Sequence, residues 1–176
     1  WSKKGGEFQM VQLWVNLPAK DKMSTPKYQA ISNKDINRYV IENNGGEIEV
    51  IAGKYKDVDG SASTFTPLNM YNAKLNSGTQ IELDFPAIYN TLLLVIEGSI
   101  VINDTENVPT NHLALMANDG DSFNVKASEN SVVLVLSGEP INEPIATHGP
   151  FVMNTQEEIA QAFVDFNQGK FGYLAD

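Results

Sequence analysis

Short stretches rich in valine, isoleucine, leucine, tyrosine and phenylalanine recur between polar turns, and this rhythm predicts strands rather than alternating strand and helix units. Strands are expected at 11–17, 47–52, 68–75, 79–85, 91–103, 113–116, 121–125 and 131–137. Gly45-Gly46, Asp59-Gly60, Ser77-Gly78 and Asp119-Gly120 separate them with residues that accept turn geometry. In Glu47-Ile48-Glu49-Val50-Ile51 acids and aliphatics alternate, so one face meets water and the other a core. Leu92 to Ile96 and Val132 to Leu136 are apolar throughout and are expected as central strands covered on both faces.

One helix is expected, beginning at Thr155. Its hydroxyl can cap the first turn while the Glu158 side chain reaches back to the cap amide. Ile159, Ala162, Phe163 and Phe166 follow at helical spacing as one apolar stripe, and Gly169 supplies a stop. The pattern therefore gives an all-β domain with one C-terminal α-helix, without internal repeats.

The 176 residues suffice for one domain with a sizeable core, and a hydrophobic fraction of 42% lies near the globular norm. The longest aliphatic run falls far short of the ~20 residues a membrane helix needs. Twenty-two acids against twelve bases leave a formal charge of -10, which repels phosphate backbones, so direct nucleic-acid binding is not expected. The absence of cysteine excludes disulfides, thiolate nucleophiles and zinc–thiolate or iron–sulfur sites, and it fits a cytoplasmic protein. Trp1 stands where a start methionine would be expected, so the chain reads as a piece of something longer, with 1–10 a linker or appended residues.

Candidate chemistry is sparse. A metal centre on a β-barrel draws three or four His and carboxylate side chains together, but His112 and His148 are the only histidines and show no ligand spacing. The pairs Glu47/Glu49 and Glu82/Asp84 each share a strand face, as acid–base carboxylates would, and a solvated face explains them equally well. Asp57-Val58-Asp59-Gly60 resembles the start of a calcium loop, but counting from Asp57 places Leu68 where the closing carboxylate belongs. Nucleophile elbows and phosphate-cradling glycine patterns are missing. Asn103-Asp104-Thr105 fits a glycosylation triplet without a secretory pattern to support it.

Three stretches together resemble the pirin family: MVQLWVNLPAKDKMSTPKYQ at 10–29, TLLLVIEGSIVI at 91–102, and LVLSGEPINEPIATHGPFVMNTQEEIAQAFVDFNQGKFG at 134–172. The resemblance covers about 11–172 and corresponds to the C-terminal half of such proteins. It implies a jelly-roll cupin β-barrel or sandwich, the second of two in tandem. In the family the N-terminal barrel carries iron on three histidines and a glutamate, and the C-terminal barrel lacks a metal. Residues 11–146 would then be a metal-free cupin-like barrel, with no cofactor in this chain and iron only in the N-terminal half. The interval 79–96, where a first ligand cluster would lie between Gly78 and Glu97-Gly98, contains no histidine, and Glu129, Asn130 and Ser131 stand where a second ligand would follow Gly120-Asp121.

Residues 147–176 are expected as a C-terminal latch and helix. Pro150 cannot continue a ladder and Gly149 lets the backbone turn, so His148-Gly149-Pro150 redirects the chain. Phe151 and Met153 then anchor it before Thr155 and Glu158 start the helix that carries Phe163 and Phe166. By the resemblance these nine residues form a structural interdomain latch, with no catalytic, cofactor-binding or metal residue assigned. The function implied is a noncatalytic structural and interaction domain, partnered by the N-terminal cupin half, by a second copy through an exposed face, or by other proteins. The alternatives are one half of an iron-dependent quercetin 2,3-dioxygenase, or of a pirin-like transcriptional or metabolic regulator.

Overall fold

Period-two alternation becomes a two-layered sandwich in the computed structural model, which describes residues 4–6 and 8–172. In chain order the strands are β1 (Asn37–Ile41), β2 (Gly46–Ala52), β3 (Lys54–Tyr55), β4 (Val58–Asp59), β5 (Leu68–Leu75), β6 (Gln80–Asp84) and β7 (Asn90–Glu97). They continue with β8 (Ser99–Ile102), β9 (Glu106–Pro109), β10 (Leu113–Leu115), β11 (Ser122–Ala127), β12 (Ser131–Gly138), β13 (Ala146–His148) and β14 (Phe151–Met153), followed by helix α1 (Gln156–Asn167). The chain divides into two compact units: Ser24–Asn142, and a smaller one made of the residues up to Met23 with those from Glu143 onward.

In the larger unit one antiparallel sheet has the order β1-β2-β5-β12-β7-β10 and the other β6-β11-β8-β9. Ile48, Val50, Tyr71, Leu93, Val95, Val133 and Val135 from the first meet Ile81, Leu83, Ile100, Phe123 and Val125 from the second, all buried in one core. Neighbouring rings of Tyr39, Tyr55, Tyr71, Phe85 and Phe123 lie 5.3–6.3 Å apart, an aromatic series through this core.

Several expected strands differ from those formed. The single strand expected at 91–103 is two, because Gly98 adopts φ 73°, and a side chain there would strike the Asn130 carbonyl and the Ser131 hydroxyl. The chain thereby leaves the six-stranded sheet as β7 and enters the four-stranded sheet as β8. Residues 11–17 form no strand; they alternate as a strand would, but no described residue completes a ladder with them. The central strands β7 and β12 are buried on the core side, whereas outward Leu92, Leu94, Ile96, Val132 and Leu136 are only half-buried; Leu134 alone among these outward aliphatics is fully covered. β1, β9 and the short β13–β14 hairpin escaped the sequence reading because each is brief or of mixed polarity.

In the smaller unit, the β13–β14 hairpin pairs Ala146 with Met153 and His148 with Phe151. The Ala19 amide donates to Glu143 Oε2 at 2.7 Å, and Lys22 Nζ donates to Asn16 Oδ1 at 2.6 Å and to the Val152 carbonyl at 3.3 Å. The bonds to Glu143 and Val152 tie the segment before the barrel to the segment after it. Helix α1 starts as expected: the Glu158 amide donates to Thr155 Oγ1 at 3.2 Å, and the Thr155 amide donates to Glu158 Oε2 at 3.0 Å.

Candidate functional site

The barrel interior decides first what chemistry is open to the larger unit. Across the interval where a first ligand cluster would lie, the inward side chains are Ile81, Leu83, Phe85, Thr91, Leu93 and Val95. Facing them from β12 are Ser131, Val133, Val135 and Ser137. The polar atoms in this set are hydroxyls, and Thr91 Oγ1 and Ser137 Oγ already share a hydrogen bond at 2.7 Å. An iron centre of imidazoles and a carboxylate does not fit this set, and among the described residues no three of His, Asp and Glu gather as ligands. His112 sits exposed in the turn before β10, its Nδ1 3.0 Å from the Thr110 carbonyl.

The paired carboxylates differ from each other. Glu82 and Asp84 lie on the exposed face of β6. Glu47 and Glu49 point outward from β2, yet Glu49 is only 4% exposed, so the solvated-face reading fails for it. Its carboxylate accepts from Lys74 Nζ at 2.7 Å, Asn72 Nδ2 at 2.7 Å and Arg38 Nη2 at 2.8 Å, while Glu47 lies 3.2 Å from Lys74 Nζ. Burial pushes the Glu49 carboxyl up, but these three donors outweigh it and hold the group below its ordinary range. The same carboxylates push the Lys74 ammonium up. A carboxylate held ionised by three donors is a structural tie across β1, β2 and β5.

Beside this polar network the outer face of the same sheet turns apolar. Cross-strand register aligns Met70, Leu136, Leu92 and Leu115 in one row and Leu134, Leu94 and Leu113 in the next. Leu113 is 56% and Leu115 72% exposed at the sheet edge. The edge of this face, where Leu113 and Leu115 stand exposed, is the kind of surface that marks an interaction site. The sequence signalled this face through the unbroken apolar runs, expected as strands covered on both faces.

In the smaller unit the nine expected latch residues occupy one hairpin and one helix. Phe151 is the hub: its ring lies 5.1 Å from Phe163, 6.5 Å from Phe166 and 5.9 Å from Phe171. The His148 ring packs edge-on against Phe163 at 5.2 Å. Gly149 takes φ 55°, and Pro150 and Met153 line a groove of about 310 Å³ with Trp14, Val15 and Leu17. Thr155 and Glu158 form the cap, while Phe166 and Phe171 remain 61% and 57% exposed. Residues 1–3, 7 and 173–176 of the expected linker and latch segments lie outside the described residues.

The family model of the Pirin C-terminal cupin domain matches residues 70–172. The chain belongs to the pirin family. A pirin of Homo sapiens is 34% identical over 167 residues, covering 93% of this chain and 57% of that protein. A Pseudomonas aeruginosa protein provisionally named quercetin 2,3-dioxygenase is 42% identical over 167 residues, covering 95% of this chain and 58% of its own length. The crystal structure of a quercetin 2,3-dioxygenase from Acinetobacter baumannii matches with a TM-score of 0.86 at 46% identity, over 92% of this chain and 56% of that one. These likenesses bear out the pirin resemblance and the all-β cupin fold with one helix. This pirin-family chain thus spans a little over half the length of the relatives it matches. Among the described residues, no helix is long and apolar enough to cross a membrane.

Proposed function

We propose that this chain is the noncatalytic structural half of a pirin-type protein, which docks on an N-terminal cupin half through the outer face of its six-stranded sheet and through the hairpin–helix latch. The observation that carries the reading is the row of outward aliphatics on β5, β12, β7 and β10, ending in exposed Leu113 and Leu115. The latch adds a second apolar surface, with Phe166 61% and Phe171 57% exposed. The length of the relatives supplies the occupant: about two fifths of each lies beyond the region this chain matches. A cytoplasmic setting suits a chain without cysteine.

The intact protein is then an iron-dependent oxygenase of the quercetin 2,3-dioxygenase type, a reading supported by the 46% identity to the Acinetobacter baumannii enzyme. All metal ligands come from the N-terminal half, because the barrel interior described above offers hydroxyls and hydrocarbon. Metal analysis and a flavonol-consumption assay on this chain by itself test that division. The expected result is no retained iron and no turnover; iron held tightly by side chains of this chain, or turnover by it, would overturn the reading.

A further inference from the structure

The end of the barrel beside Phe85 and Phe123 carries a cavity that the docking role does not use. It measures about 210 Å³, larger than the roughly 150 Å³ that already admits a benzene molecule. Buried Phe85 and Phe123, with ring centroids 6.3 Å apart, line it together with Met116 and Tyr89. Its walls are tied together before any ligand arrives. The Phe85 amide donates to the Asp121 carbonyl at 2.8 Å, the Ala87 amide to Asp121 Oδ1 at 2.9 Å, Asn118 Nδ2 to the Tyr89 carbonyl at 3.2 Å, and the Met116 amide to the Thr91 carbonyl at 3.0 Å.

The polar groups define the ligand's chemistry. At the wall, Thr91 is 5% exposed and its hydroxyl already shares a hydrogen bond with Ser137. Asp119 and Asp121, both exposed, are among the lining residues, and no lysine, arginine or histidine lines the cavity among the described residues. An anion entering here would meet two negative charges and no positive one. An ammonium would face those carboxylates, with aromatic faces close by to favour a cation.

We propose that this cavity is a binding site for a monocyclic aromatic amine, its ring against Phe85 and Phe123 and its ammonium at Asp119 and Asp121. The test is an NMR titration of the isotope-labelled chain at neutral pH with benzylamine, benzyl alcohol and benzoate, which share a ring and differ in charge. Benzylamine is expected to shift, saturably, the amides of 85–91, 103 and 116–123. Benzyl alcohol should bind about twofold to fivefold more weakly and benzoate more weakly still, the scale of an exposed charge contact. Added salt should weaken benzylamine alone. Asp119→Asn, at a carboxylate that makes no hydrogen bond, should narrow the gap between amine and alcohol without disturbing the fold. Absent or scattered shifts, benzoate binding as well as benzylamine, or an Asp119→Asn protein with the full preference for the amine would each overturn the proposal.

Discussion

The carboxylate of Glu49 accepts a hydrogen bond from the ammonium of Lys74 at 2.7 Å on the outer face of the sheet, although Glu49 is only 4% exposed. The donors around it hold its carboxyl below the ordinary value of 4.5 despite the opposing effect of burial. The stability this contributes is present above that ordinary value and is lost as pH falls through the lower folded value. Glu49→Gln should therefore cost about 1–3 kcal/mol at neutral pH, because an amide cannot satisfy both cations. Melting temperatures of the two proteins followed from pH 7 downward should converge as the wild-type carboxylate is protonated.

Tyr71 offers the opposite case. Its hydroxyl is buried and its one proton is shared between the Lys54 carbonyl and Asn69 Oδ1, and burial, helped by Tyr55, pushes its phenol well above the ordinary value. Burial raises Tyr55 as well. The raised value favours the neutral phenol in the folded chain, so its contribution is present below an ordinary phenol pKa of ~10 and fades as pH rises beyond it. In a phenolate absorbance titration these two tyrosines should ionise only together with alkaline unfolding. Tyr71→Phe should cost about 1–2 kcal/mol through the carbonyl it leaves unpaired.

Gly98 marks where the chain changes sheets. At φ 73° it lies against the Asn130 carbonyl and the Ser131 hydroxyl, so Gly98→Ala adds both an unfavourable backbone conformation and a clash. The expected loss in a urea unfolding curve is at least about 2 kcal/mol. Gly78→Ala, at φ 83° with open space around the added methyl, should cost less, and the difference between the two isolates the clash.

Thr155 caps α1 with both bonds of the capping box in place. Thr155→Ala should weaken the helix by about 1 kcal/mol. Amide exchange across Gln156–Asn167 should rise, while the core amides of β5 and β12 keep their protection.

How much of this was legible in the sequence depends on whether local chemistry or distant partners set each element. The Leu68–Leu75 strand and the Thr155 cap were readable because alternation and capping are local. The division at Gly98 was hidden, since the atoms that forbid a side chain there belong to a segment some thirty residues later. The 11–17 stretch carries a strand's alternation without a ladder, and a ladder is a property of two segments. Glu49 looked like a wet carboxylate because Arg38, Asn72 and Lys74 converge on it only through the register of three strands. Missing histidines were plain in the sequence, whereas the aliphatic outer face needed the sheet order before its extent could be seen.

Isothermal titration of this chain with the N-terminal half of its full-length protein tests the docking account most directly, run in parallel with a Leu94→Lys, Leu113→Lys variant whose fold is checked by circular dichroism. The account predicts one-to-one association by the unsubstituted chain and at least a tenfold loss on placing two charges in the aliphatic rows, as expected for a desolvated apolar contact. Failure of the unsubstituted halves to associate, or unchanged affinity in the folded variant, would contradict it.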